Sequence, residues 1–189
     1  MRRRIKAGRP VHLKYKQPQW RPVTDIVLAA LTFAHVLFGM GWLGGALLTT
    51  FGVGPSLQKM TQTASLEFNA RVLPNMVRFT RAAAGLTLLF GLALLGYVYS
   101  QDNSYFSSTA GMAASAGIIV AIISAAIGFS MVIPSFMKIG KLAASALDGG
   151  QPPPGQEMMT LAKRARTWSM IVLILLLVTL AAMVTAGVS

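Results

Sequence analysis

Four runs of predominantly apolar residues constrain this chain more than any other feature. They fall at about 25–52, 82–100, 110–137 and 168–188, and none has Asp, Glu, Lys or Arg near its centre. Roughly 20 such residues in a helix cross the hydrocarbon core of a bilayer. In lipid a backbone must satisfy its own N–H and C=O groups, so each run folds as a helix. The expected fold is all-α: a polytopic membrane protein with four transmembrane helices in one domain, residues 24–189, behind a basic arm, residues 1–23. Composition agrees, with 54% hydrophobic and 12% charged residues and a mean hydropathy of +0.59, against about 25% charged in soluble domains.

Local signals suggest the boundaries. Thr24-Asp25 offers an N-cap and a carboxylate for the first turn. Gly54 and Pro55, in "GVGP", are expected to stop the first helix. Residues 57–73 have mixed apolar spacing and read as an interfacial helix. "SQDNSYFSST" after the second run is a short polar loop, and "DGGQPPPGQE" before the fourth is irregular. The first 23 residues hold eight Lys/Arg, three Pro and no apolar run, so they do not read as a signal peptide.

The first and third runs end alike. "VGPSLQKM" (53–60) and "VIPSFMKI" (132–139) share Val, Pro, Ser and Lys at a constant offset of 79. Basic clusters then precede the second and fourth runs, "RFTRAAAG" (78–85) and "KRARTWSM" (163–170). This predicts two helical hairpins related as a parallel repeat. Under that offset His35 corresponds to Ala114 and Trp42 to Ala121, so the second copy has no histidine.

The net charge is +12, but the basic residues flank apolar spans, as in membrane proteins, and do not indicate nucleic acid. Lys59, Arg71, Arg78 and Arg81 follow the first run, and Lys138, Lys141, Lys163, Arg164 and Arg166 follow the third. The positive-inside rule places both groups in the cytoplasm and the N-terminus outside the cell membrane. The eight charges of the arm argue the reverse; the three later spans outweigh them.

Small residues mark packing faces, where helices in lipid approach closely. Ala113, Gly117, Ala121 and Ala125 recur every four residues in the third run, and Gly41 and Gly45 form a G-x-x-x-G pair in the first. The fourth run, "IVLILLLVTLAAM", is uniformly bulky and suits lipid or a broad subunit interface.

His35, inside "FAHVLFGMGWLGG", is the one histidine within a run. A polar residue there is costly and marks a site by default. The favoured role is interhelix hydrogen bonding, with Thr32 and Thr87 as candidate partners; metal or haem ligation and contact with another subunit are the alternatives. Thioether sulfur suits Cu(I), and Met40 lies near His35, but the eleven Met form no M-x-x-M cluster and Met also fills apolar cores. There is no Cys, so thiolate metal sites and disulfides are excluded. Asp25 and Glu67 are isolated, and no phosphate-cradling glycine motif is present.

"H-x6-W-x-G-G" in the first run (His35, Trp42, Gly44, Gly45), the Pro that closes it and "RFTRAAAGLTLLFGLALL" opening the second resemble the CopD-like membrane family. The resemblance covers about residues 28–100. More distantly, the chain is similar to the HemJ-type protoporphyrinogen oxidases. The resemblance implies copper handling across the membrane, or haem b bound by intramembrane histidine. His35 would be the ligand, Trp42 would pack beside it, and Gly44 and Gly45 would make room. The other histidine, His12, lies in the arm, so two histidines are not available within one bundle.

The expected function is that of an accessory, non-catalytic subunit of a larger membrane-embedded copper- or haem-dependent oxidase or monooxygenase. The alternatives are a stand-alone copper-handling protein and a haem b protein using His35. Arg2, Arg3, Arg4, Lys6, Arg9, Lys14, Lys16, Trp20 and Arg21 of the arm are expected to contact neighbouring subunits or anionic lipid.

Overall fold

The computed structural model describes residues 22–102, 104–149 and 155–188; the arm residues named above and His12 lie outside it. α1 (Pro22–Leu47) runs through a π-helical turn (Leu48–Val53) into a last short turn, α2 (Gly54–Leu57). After a reversal at 58–61 come α3 (Gln62–Glu67), a second π turn (Phe68–Val72) and α4 (Leu73–Gln101). A 3-10 turn (Tyr105–Ser107) leads to α5 (Thr109–Ile127), a third π turn (Gly128–Val132) and α6 (Ile133–Leu147), and α7 (Gly155–Val188) ends the described chain. No strand occurs among the described residues. Four helical stretches, Ile26–Leu57, Gln62–Gln101, Thr109–Leu147 and Gly155–Gly187, are long and apolar enough to cross a membrane. The protein is an all-α, multi-pass membrane protein.

The helices outrun their expected boundaries. The first begins at Pro22 rather than Thr24-Asp25, and Gly54-Pro55 does not stop it. Residues 62–72 are not a separate interfacial helix but continue into α4. The local reason is a device used three times. Pro lacks an N–H and its ring crowds the carbonyl four residues back. In an apolar medium, helices absorb such a break with π adjustments and side-chain hydrogen bonds. Each π turn here ends just ahead of a proline: Pro55, Pro74 and Pro134. In each case the polar residue after the proline donates to the carbonyl three residues before it. Ser56 Oγ reaches Gly52 O at 2.8 Å, Asn75 Nδ2 reaches Arg71 O at 3.2 Å, and Ser135 Oγ reaches Met131 O at 2.7 Å. "V-x-P-S" therefore has the same local structure at 53–56 and 132–135, and it prolongs a helix instead of ending it.

α1 lies along α4, and α5 along α7. Both pairs are antiparallel. Gly45 meets Thr80, Gly41 meets Phe79 and Ala83, and His35 meets Gly91, so positions falling along α1 rise along α4. Gly117 likewise meets Ala182 and Met183, and Ser124 Oγ reaches Val172 O at 3.4 Å. Trp42, Ala83, Ala84, Ala125, Val172 and Leu176 form a core drawn from all four long helices. α6 packs across the second π turn and the starts of α4 and α7, burying Leu73, Val77 and Ile139.

This layer gathers the charge. All nine Lys and Arg among the described residues flank the 58–61 and 148–154 connections, which α6 brings together at one end of the bundle. Among the described residues they accompany one ion pair, Lys138 Nζ to Glu157 Oε1 at 2.7 Å. At the opposite end Asp102 caps the turn into α5, accepting from Ser104 N at 2.9 Å and Ser104 Oγ at 2.6 Å. These bonds from Ser104, side chain first, hold the Asp102 carboxyl below its usual pKa.

α7 is not uniform in its surroundings. Val172, Leu173 and Leu176 are buried, while Ile174, Leu177, Val178, Leu180 and Val184 face outward. Lipid and core are equally apolar, so composition does not separate the two faces.

Candidate functional site

His35 faces α4. Its Nδ1 lies 2.9 Å from the backbone oxygen of Thr87. A carbonyl only accepts, so Nδ1 carries the proton and Nε2 the lone pair. The hydroxyl of Thr87 is engaged elsewhere, donating to Ala83 O at 2.7 Å. Of the two expected partners, then, Thr87 serves, through its carbonyl; Thr32 is exposed. Space for the ring comes from Gly91, where a Cβ would stand 2.9 Å from His35 Cε1 and 3.0 Å from Nδ1. Gly91 escaped the sequence reading because a lone glycine in a span carries no register. One turn on, Phe38 and Phe90 stack with centroids 5.7 Å apart.

Trp42 is 5% exposed and belongs to the four-helix core. It stands seven residues, or about 10 Å of helix rise, from His35 and so is not packed beside the imidazole. Gly45 is filled by Thr80, whose Oγ1 would be 2.8 Å from a Cβ there, whereas Gly44 is open. Met40 is 68% exposed. It is five residues from His35, roughly 140° around the helix, so the structure does not join the two as a ligand pair. The remaining span methionines are scattered: Met112 faces outward, Met131 accepts from Arg164 Nη2 at 3.2 Å, and Met183 packs on Gly117. No trio of His, Cys, Asp and Glu suited to a metal ion occurs among the described residues. The one ligand atom that fits a haem iron or copper ion is His35 Nε2, which has no hydrogen-bond partner among the described residues.

Gly41 receives Phe79 and Ala83, and Gly117 receives Met183 and Ala182. Ala125 is in the core, and Ala113 and Ala121 are half-buried. Gly111, outside the expected ladder, has the tightest requirement: a Cβ there would strike the Tyr105 carbonyl and the Phe106 backbone.

Between the four long helices is a cavity of about 70 Å³. Its walls are mainly apolar, with Thr49, Thr80, Arg81 and Ser169 as polar members. Ala46 and Ala125, and likewise Thr49 and Gly128, are pairs separated by 79 that line it together. On the outer face of α1 and α4 runs a furrow of about 520 Å³, bordered by Met40, Gly41, Gly44, Leu48, Met76 and Phe79. Gly45, Met76 and Thr80 border both spaces.

No protein-family model, curated protein or solved structure matches the chain.

Proposed function

We propose that this chain is a CopD-like accessory subunit, non-catalytic in itself, of a larger membrane complex built around a copper- or haem-dependent oxidase or monooxygenase. It sits in the cell membrane with its basic end in the cytoplasm and its N-terminus outside. The observation that carries this reading is the use of His35: its ring bonds the Thr87 carbonyl and fills the space left by Gly91, joining α1 to α4. The glycine-floored furrow on the outer face of that same pair supports it, because small residues let a partner helix approach closely. The basic arm then reaches neighbouring subunits or anionic lipid.

The test is to extract native membranes in mild detergent, resolve intact complexes and identify the co-migrating chains. Co-migration with oxidase or monooxygenase subunits is the expected result. Migration alone as a monomer or dimer refutes it.

A second reading rests on the same histidine. An Nδ1–H bonded to a backbone carbonyl is the arrangement that commonly orients a ligating imidazole and leaves Nε2 for the metal. His35 would then be one axial ligand of haem b, or one ligand of a copper ion, with the other ligands drawn from another chain or a small molecule. A Soret band or stoichiometric copper in the purified protein, lost in His35→Phe, supports this second reading over the first.

A further inference from the structure

The central cavity differs from the helix contacts around it, because Ser169 among its polar groups is unspent, whereas the Thr49 hydroxyl donates to Gly45 O at 2.7 Å. Ser169 is 6% exposed, lines the cavity and has no hydrogen-bond partner among the described residues. A serine within a helix ordinarily bonds back to the preceding turn, as Ser115, Ser130 and Ser135 do here. Arg81 also lines the cavity, and no carboxylate pairs with it among the described residues. Its neighbour Arg78, by contrast, is tied to Asn75 Oδ1 at 3.4 Å. Among the described residues no Asp or Glu lines the cavity, while Trp42, Val77, Ala84, Ala125 and Val172 make its inner walls apolar. The exposed Arg81 and the buried Ser169 therefore border a cavity whose other walls are mainly apolar.

We propose that this cavity binds an anionic amphiphile, an acyl chain carrying a phosphate or carboxylate. The anionic group sits on the Arg81 guanidinium, and the end of the chain enters between the four helices. The chain has a route from the bilayer. Gly45, Met76 and Thr80 border both the cavity and the furrow on the outer face of α1 and α4. The size is consistent with a chain end and not a whole lipid: about 70 Å³ is half the roughly 150 Å³ of a cavity that holds benzene. This assignment does not depend on the accessory-subunit reading, since it concerns the chain's own cavity.

The full-length protein, purified in a neutral maltoside detergent, tests it. Native mass spectrometry and thermal shift would be read with added phosphatidylglycerol, oleate, phosphatidylcholine or inorganic phosphate. The expected result is one retained phosphatidylglycerol or oleate per chain, with phosphatidylcholine and inorganic phosphate markedly weaker. Phosphatidylglycerol above oleate identifies a phospholipid as the source, and the reverse a free fatty acid. Arg81→Gln should weaken retention about fivefold, the share of one basic residue near an anionic surface, whereas Arg78→Gln, with the same charge change, should not. Gly128→Leu supplies a plug, because Gly128 lines the cavity and a Cβ there meets nothing within 4 Å; it should also abolish retention. Equal loss in Arg78→Gln and Arg81→Gln would reduce the effect to diffuse surface charge and overturn the proposal. Equal retention of phosphatidylcholine, a shift with inorganic phosphate alone, or full retention in a folded Gly128→Leu would each do so too. The arginine pair decides the matter even if the plugged variant fails to fold.

Discussion

Substituting Gly91 with Ala should expose how closely α1 and α4 depend on the imidazole. The new Cβ would stand 2.9 Å from His35 Cε1 and 3.0 Å from Nδ1, closer than packed carbons come. The ring must move, and with it goes the 2.9 Å bond to Thr87 O. Overpacking of this kind costs about 1–3 kcal/mol, and an interhelical hydrogen bond in lipid averages about 0.6 kcal/mol. Against these stands the gain of about 1 kcal/mol from replacing glycine by alanine within a helix. Gly91→Ala should therefore be destabilising by roughly 1–2 kcal/mol. With His35→Ala already present there is no ring to displace, and only the helix gain remains. In that background Gly91→Ala should become neutral or stabilising. Reversible unfolding in mixed micelles, run as a double-mutant cycle, reads the change of sign. Additive effects would refute the packing described here. If His35 instead served mainly as a ligand, His35→Ala would cost little stability and would remove a bound chromophore or metal.

Three further outcomes follow from particular residues. Thr50 Oγ1 is buried without a partner, so Thr50→Val, which keeps the shape and removes the hydroxyl, should be neutral or stabilising by up to about 1 kcal/mol in the same unfolding assay. Gly117→Val should separate α5 from α7, because Met183 Cε at 3.0 Å and Ala182 Cβ at 3.3 Å already crowd that position; a loss of about 1–3 kcal/mol is expected, and an unchanged midpoint would refute it. Asp102 has a lowered pKa in the folded state, so its contribution is present above the unfolded-state pKa and is lost as the pH falls through the folded-state value. Ser104→Ala should raise that pKa toward the usual aspartate range, as read by carboxyl-carbon NMR.

Membrane character was legible in the sequence because a bilayer imposes a length and a polarity that composition alone records. Four apolar runs with no charge near their centres required four helices, whatever their neighbours. The packing faces around Gly41, Gly45 and Gly117 could also be read, since small residues at helical spacing have little other use in lipid. Helix ends could not be read from rules for water. "GVGP" and "VIPS" resemble terminators, yet Ser56 and Ser135 bond the carbonyls freed near the prolines and the helices continue. The two faces of α7 were equally illegible, because the core and the lipid select the same residues.

The site divides in the same way. That His35 is costly to keep in an apolar span was plain from the sequence. Which atom it would meet was not, because Thr87's carbonyl carries no residue signature and Gly91 is conspicuous only once α1 and α4 are placed side by side. The cavity is further still from the sequence. Thr49, Arg81, Gly128 and Ser169 lie on four different helical segments, and although the offset of 79 relates Thr49 to Gly128, no spacing along the chain brings Arg81 and Ser169 to them. The sequence by itself determined the medium, the number of spans and the residue that is costly to keep there. Only tertiary structure decided what that residue bonds and where a positive group meets an apolar hollow, because those depend on how helices of near-uniform apolarity are rotated against one another.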